Sequence, residues 1–153
     1  MFAFHNFASL LLLFSLPVPI ASQVETAFLQ NSPQLLRRIL ASGSAIPVSL
    51  PEPLSLTDQL SPDQAFLVFK QIFSVYKTTE FTADPGLSSP PGPGRAGGVL
   101  KARWSFRNER TGHQYPFRVY FFVVPESPAP SPPSKAGGRP IVLRIVEVRA
   151  ERL

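Results

Sequence analysis

Residues 61–76 read SPDQAFLVFKQIFSVY, and they carry both the start of a helix and its buried face. Ser61 and Gln64 have the spacing of a capping box, and Pro62 stands at the first helical position, where its missing N–H costs no hydrogen bond. Aromatic residues then recur at the spacing of one helix face, namely Phe66, Phe69, Phe73 and Tyr76. The segment predicts a helix from Pro62 to about Tyr76 that packs its aromatic face into a core.

After Lys77 the apolar residues recur at every second position, as in a strand. Residues 99–107 read VLKARWSFR, which alternates apolar and polar side chains. The apolar face holds Leu100, Ala102, Trp104 and Phe106, and the polar face holds Lys101, Arg103, Ser105 and Arg107. Similar patterns predict strands at 78–83, 115–124 and 141–149. A turn at 108–112 joins two of these strands into an antiparallel hairpin.

Two helices and one strand are predicted before residue 61. The first helix covers residues 24–29, and Ser32 caps a second helix that begins at Pro33. Residues 45–50 form a short strand. The order of helix, helix, strand, helix and four strands predicts an α+β fold, in which a curved antiparallel sheet packs against the N-terminal helices.

Three stretches between these elements are rich in proline, glycine and serine. They cover residues 46–56, 85–98 and 125–139. The last two are of low complexity and have too few apolar side chains to pack a core. We therefore expect them to be long hairpin connections within a single domain of residues 23–153.

The first 22 residues carry no charged side chain and contain an apolar run at 7–16. A run of that length is typical of a signal-peptide core, whereas a membrane span needs roughly 20 residues. Pro17 and Pro19 end the run, and the small residues Ala21 and Ser22 follow. We expect residues 1–22 to be a signal peptide, and the protein to be periplasmic or secreted with no membrane span after cleavage. Because no Lys or Arg precedes the run, an uncleaved anchor or a misassigned start is the alternative.

The composition narrows the chemistry that the chain can perform. It has 15 Lys and Arg residues against 10 Asp and Glu residues, without a dense basic run. This balance favours solubility over nucleic-acid binding, and an anionic component of the cell envelope is the partner that it would suit. There is no cysteine, and His113 is the only histidine after the leader. We therefore expect no metal site and no cofactor.

The alternation also assigns side chains to the two faces of the sheet. Counting from Trp104, the inner face receives Phe117, Val119, Phe121 and Val123. Arg118, Tyr120 and Phe122 fall on the outer face, beside the polar face of residues 99–107. The same counting on the last strand points Ile141, Leu143 and Ile145 inward, and Glu147 with them.

Two candidate sites follow from these faces. Inside, Trp104, Tyr115 and Glu147 form a candidate ligand pocket. Glu147 is the candidate catalytic residue, because a carboxylate held in an apolar pocket can exchange protons near neutral pH; the alternatives are a fraying strand end that exposes it, or a pair with an arginine. Outside, Arg118, Tyr120 and Phe122 form a candidate interface, most simply between two copies of the chain; the alternatives are another protein partner or a loop that covers the patch.

This order of elements resembles the nuclear transport factor 2-like, or cystatin-like cone, superfamily. Within it the chain resembles an exported bacterial family known as domain of unknown function 4783. The residues that carry the resemblance are the leader, the broken helix at 24–40, the helix start at 61–65, the phrase FRVYF at 117–121 and the closing strand near Glu147. The resemblance covers nearly the whole chain after the leader, although the two proline-rich insertions depart from the compact version. It implies a cone with a pocket between helices and sheet, often dimeric through the outer sheet face, and no established activity.

These observations lead to two hypotheses of function. The first is an exported binding or assembly module, which holds a small apolar ligand in the cone or a protein partner on the sheet. The alternative is a small proton-transfer enzyme of the isomerase, dehydratase or cyclase type, which uses a carboxylate in the cone.

Overall fold

A computed structural model of the chain describes residues 18–88, 97–126 and 142–153. The elements in these ranges are α1 (Ile20–Leu29), α2 (Pro33–Ile39), β1 (Ile46–Leu50), β2 (Leu56–Leu60), α3 (Pro62–Val75), β3 (Tyr76–Ala83), β4 (Gly98–Asn108), β5 (Gln114–Glu126) and β6 (Val142–Arg152). The predicted α+β class is confirmed, with helices on one side of a curved, mostly antiparallel sheet. The capping box at Ser61 and Gln64 is also confirmed, since each side chain accepts the other residue's backbone N–H.

The predicted leader and long loops fall only partly within the described residues. Residues 1–17, 89–96 and 127–141 lie outside them. Helix α1 begins at Ile20, so the last three residues of the predicted leader form its first turn. Pro125 and Glu126, expected in a loop, belong to the end of β5. None of the helices in the described ranges has the length and apolar character needed to cross a membrane.

Strand β2 was not expected from the sequence. Its residues read LTDQL, so the apolar signal is confined to Leu56 and Leu60 at the two ends. The strand pairs antiparallel with β1, and the polar residues at its centre are exposed at the edge of the sheet. An edge strand that meets solvent over most of its length needs no alternating pattern, and this explains why none was found.

The described strands form one six-stranded sheet in the order β2-β1-β6-β5-β4-β3. Strands β3 to β6 pair antiparallel in succession, as the predicted hairpins require. The N-terminal hairpin joins this meander through a parallel pair between β1 and β6. The three longest strands therefore occupy the middle of the sheet and provide most of its two faces.

The inner face of the sheet is closed by aromatic side chains, with Phe28 of α1 at the centre. The Phe28 ring lies 4.5 Å from Phe81 and 5.0 Å from Trp104, measured between ring centroids. It also contacts Phe73 of α3 and Phe121 of β5. These rings are buried together, and aromatic pairs in such edge-to-face and stacked arrangements add to the hydrophobic gain of burial. One side chain thus joins two helices to three strands.

Helix α1 also covers the outer edge of β3. The Asn31 side chain, just after the helix, accepts the backbone N–H of Thr78 at 2.9 Å. Glu25 of the helix accepts the N–H of Ala83 at 2.8 Å. Edge strands expose unpaired backbone groups to other chains, and here two of those groups are bound within the molecule.

A polar clamp at Glu126 ties the end of α2 to the sheet. The Glu126 carboxylate accepts hydrogen bonds from Ser42 at 2.8 Å and from Arg144 at 2.9 Å. Arg144 also donates to the carbonyl oxygen of Arg38. Arg38 belongs to α2 and Ser42 to the segment after it, while Glu126 and Arg144 lie at the loop end of the β5–β6 hairpin. The clamp therefore fixes that end of the hairpin to α2.

We predict that Phe28→Ala lowers the free energy of unfolding by about 3–5 kcal/mol, because it empties the centre of the aromatic core. Leu29→Ala is the matched control, since Leu29 is the next residue of the same helix and is 51% exposed. The control should change stability by less than about 0.5 kcal/mol. Urea unfolding followed by Trp104 fluorescence measures both variants. Similar effects of the two would contradict the central position of Phe28.

We also predict a pH-dependent contribution from the Glu126 clamp. Hydrogen bonds from Ser42 and Arg144 hold the pKa of Glu126 below its ordinary value. A carboxylate of this kind stabilises the folded chain above its unfolded pKa and loses that effect as pH falls through the lowered pKa. Glu126→Gln should therefore lower the free energy of unfolding at neutral pH and match the wild type in acid. Urea titrations across this range test the sign, and a difference that grows on acidification would contradict it.

Candidate functional site

The interior of the cone is packed with apolar side chains in the described residues. Trp104, predicted to line a pocket, is fully buried and lies 4.3 Å from Phe106 and 5.9 Å from Phe117, measured between ring centroids. Its indole N–H donates to the Thr78 hydroxyl at 3.0 Å. Among the described residues, no buried side chain is polar or charged. Within that part of the chain, the core therefore offers no carboxylate for proton transfer.

Glu147 lies on the outer face, so its predicted inward position is wrong. The pairing of β5 with β6 shifts by one residue, because Phe122 pairs with Glu147 while Val123 pairs with Ile145. Val146 is the extra residue of a β-bulge, and an extra residue reverses the alternation beyond it. Counting by twos from Ile145 therefore fails at this point. Glu147 instead forms an ion pair with Arg149 at 2.9 Å.

The remaining predicted pocket residue, Tyr115, stays on the inner side of the sheet near its rim. Its ring stacks on Phe106 at 5.6 Å, and the Arg152 guanidinium lies 5.5 Å from the ring centroid. Phe106 links Tyr115 to Trp104, so these two predicted residues are brought close together. Glu147 is separated from both of them by the sheet. The three residues therefore do not form one site.

Arg118, Tyr120 and Phe122 lie on the outer face, as the sequence predicted. The Tyr120 hydroxyl donates to Glu151 at 2.9 Å, and this hydrogen bond to a carboxylate raises the pKa of Tyr120. Arg118 lies 3.8 Å from the same carboxylate. The Arg149 guanidinium stands 5.4 Å from the centroid of the Phe122 ring, where a cation is attracted to the ring face.

An apolar strip runs along the β5–β6 half of this face. Its members are half-buried residues that share the outer side of the two strands. They are Phe122, Val124, Val142 and Val146. Arginine, aromatic and β-branched side chains are together typical of the surfaces that proteins use to bind one another.

A basic depression occupies the β3–β5 half of the same face. Its volume is about 410 Å³, and Lys101, Arg103, Arg118 and Tyr120 line it together with Glu80, Thr82 and Asp84. Arg103 of β4 stands directly opposite Arg118 of β5. The sequence placed these cations on one face, but their exact pairing depends on the length of the turn between the strands. The contribution of Glu80 and Asp84 was missed, because the register of β3 includes a bulge at Thr79.

The described residues contain no group of three or more histidine, cysteine, aspartate or glutamate side chains that would hold a metal ion. His113 is exposed at the start of β5, next to the turn at Gly112.

No protein-family model and no curated protein matches the sequence. Among solved structures, a domain of unknown function 4783 family protein from Bacteroides ovatus shares 15% identity over 89% of this chain and 96% of its own, with a TM-score of 0.53. A nuclear transport factor 2-like protein of unknown function from Rhodospirillum rubrum gives 10% identity over 86% and 93%, with a TM-score of 0.55. A ketosteroid isomerase-like protein from Erwinia carotovora atroseptica gives 10% identity over 84% and 86%, with a TM-score of 0.54.

The chain has the nuclear transport factor 2-like fold. Within that fold it resembles proteins of the domain of unknown function 4783 family, as the residues of the main helix and the FRVYF phrase had indicated. At identities of 10–15%, the similarity shows a shared fold and no more. The chemistry of this chain must therefore be argued from its own side chains.

The bulge at Val146 places Val148 on the inner side of β6 and Glu147 on the outer side, and this assignment can be tested by substitution. Val148→Ala should lower the free energy of unfolding by about 2 kcal/mol, because Val148 is only 1% exposed. Glu147→Ala is the matched control and should cost less than about 1 kcal/mol, as expected for a surface ion pair. Chemical unfolding of both variants tests the assignment. The opposite order of effects would restore the inward position of Glu147.

Proposed function

We propose that this protein is an exported binding and assembly module that works through the outer face of its sheet, where two copies of the chain associate. The observation that carries the proposal is the contrast between the two faces. Inside, the described residues are packed apolar side chains without a buried charged group. Outside, aromatic, arginine and valine side chains remain partly open to solvent.

The apolar strip is the surface on which the second copy would dock. Phe122 is the largest of its side chains, and the register places Val99 and Glu147 beside it on the neighbouring strands. A two-fold pair would bring each strip against its own copy, so that one patch serves both partners. Tyr120 and Arg118 flank the strip and would form its polar rim.

Export is supported by the sequence of the leader, with its apolar run at 7–16 and the small residues after Pro19. The lack of cysteine is compatible with export, because the chain has no thiol that could be oxidised outside the cell. A mature chain that begins near Gln23 would lose the first turn of α1. The remaining helix would still keep Val24, Ala27 and Phe28, which are all buried.

The enzyme alternative lacks the residue on which it depended. Glu147 was its catalytic candidate, and this carboxylate is paired with Arg149 on the outer face. Two of the solved structures with this fold are described as a putative isomerase and as ketosteroid isomerase-like. Among the described residues of this chain, no charged side chain is buried in the interior where it could act as an acid or base.

We predict that Phe122→Glu weakens self-association by roughly 30-fold or more, because it puts a charge at the centre of the interface. Leu67→Glu is the matched control, since Leu67 is 62% exposed on α3 and the change in charge is the same. Native mass spectrometry of the exported protein should show a dimer for the wild type and the control, and a monomer for Phe122→Glu. Circular dichroism checks that all three are folded.

The same spectra decide between the alternatives. A monomeric wild type, or a dimer that survives Phe122→Glu, would refute self-association through the strip. A small molecule retained in the spectrum would instead favour a ligand held by the cone. The intact mass also gives the first residue of the exported chain, and a mass that includes Met1 would contradict cleavage of the leader.

A further inference from the structure

Two arginines face each other on the outer surface of the sheet without a shared counter-ion. Arg103 and Arg118 are a directly opposed pair in the β4–β5 ladder. Lys101 lies two residues from Arg103 on the same face of β4, opposite Tyr120. Like charges directly opposite on neighbouring strands destabilise a sheet. The arrangement therefore carries an electrostatic cost that a bound anion would remove.

The acidic groups nearby compensate part of this charge, and Asp84 lies next to Lys101, since its backbone N–H donates to the Lys101 carbonyl oxygen. In the described part of the chain, Arg118 is the one member of the three cations that forms an ion pair, with Glu151 at 3.8 Å. Glu151 also accepts the Tyr120 hydroxyl, and both ion-pair partners are about half exposed, so solvent screens the contact. Glu80 and Asp84 line the β3 side of the depression.

The depression gives an anion room to reach the three cations together. Its volume is about 410 Å³, and Arg103, Arg118 and Lys101 all contribute to its wall. Guanidinium groups bind phosphate and carboxylate oxygens in pairs of parallel hydrogen bonds, and an ammonium group adds a point charge. The carboxylates on the β3 side would repel a long polyanion that continued past the cations. The site is therefore suited to one compact anionic group.

We propose that the basic depression is a phosphate-binding site, in which Arg103, Arg118 and Lys101 hold the terminal phosphate of a phosphomonoester. The phosphate belongs either to a small soluble molecule or to the headgroup of a lipid at the membrane surface. This site goes beyond the proposed self-association, since it lies on the β3–β5 half of the face and shares only Arg118 and Tyr120 with the rim of the apolar strip.

Inorganic phosphate is the first probe, with calorimetric titration and thermal unfolding as the two readouts at low ionic strength. The wild type should bind phosphate and unfold at a higher temperature in its presence. Arg103→Gln combined with Arg118→Gln should raise the phosphate Kd by at least about tenfold. Without phosphate, the same double variant should be at least as stable as the wild type, because it removes the opposed charges.

Lys70→Gln combined with Arg110→Gln is the matched control. Both residues are exposed, one on α3 and the other in the β4–β5 turn, and the loss of charge is the same. The control should change the phosphate Kd by less than about twofold. If both double variants weakened phosphate binding equally, the loss of net charge would account for the effect, and the proposed site would be refuted. An absence of binding to phosphate and to vesicles by the wild type would overturn it as well.

Vesicles of phosphatidylcholine, with and without phosphatidic acid, separate the two sources of phosphate. Binding that needs phosphatidic acid, is lost in the Arg103/Arg118 double variant and is displaced by inorganic phosphate would assign a lipid headgroup. Binding of phosphate without binding to either vesicle would assign a soluble phosphomonoester. Vesicle binding that persists in the double variant would refute the site.

The two proposals can fail independently. A monomer that binds phosphate would refute self-association alone, and a dimer that binds none would refute the phosphate site alone.

Discussion

The packing of Phe28 against the inner face of the sheet is the interaction on which the rest of the molecule depends. This ring, from the first helix, contacts side chains of α3, β3, β4 and β5. Because it fills the centre of the cone, the helices are held close to the sheet and the interior is closed by rings. The polar and charged side chains of the central strands therefore lie mainly on the face of the sheet that points away from the helices. The same contact thus holds the helices on the sheet and leaves the outer face uncovered by them.

The sequence was a good guide where local chemistry determines local structure. The start of α3 could be predicted because Ser61, Pro62 and Gln64 satisfy the helix terminus themselves. Strand β4 could be predicted because its residues alternate from Leu100 to Arg107. Strand β2 could not, because a solvated edge strand lacks that pattern. The position of Glu147 was also beyond reach, since a single extra residue at Val146 reverses the two faces and leaves no mark in the composition.

The outer face is divided by chemistry into two neighbouring regions. The apolar strip lies over β5 and β6, and the basic depression lies over β3, β4 and β5, with Tyr120 at the boundary. Only the sheet register shows that Arg103 opposes Arg118, because that pairing depends on the turn between the strands and not on either strand alone. Proteins that share this fold at 10–15% identity need not share either region. The fold provides the surface, and the individual side chains determine what it binds.

The hydrogen bonds that Asn31 and Glu25 accept from backbone N–H groups of strand β3 have a consequence for how copies of this chain can combine. They engage backbone groups at one edge of the sheet, and the other edge, at β2, remains exposed. A sheet that can accept a new strand on one side only has no second end from which to extend. Two such sheets joined edge to edge would leave no open position for a third. Because two N–H groups of β3 are already bound, a further strand would pair less readily at this edge than at β2, and growth of one sheet through many copies is disfavoured.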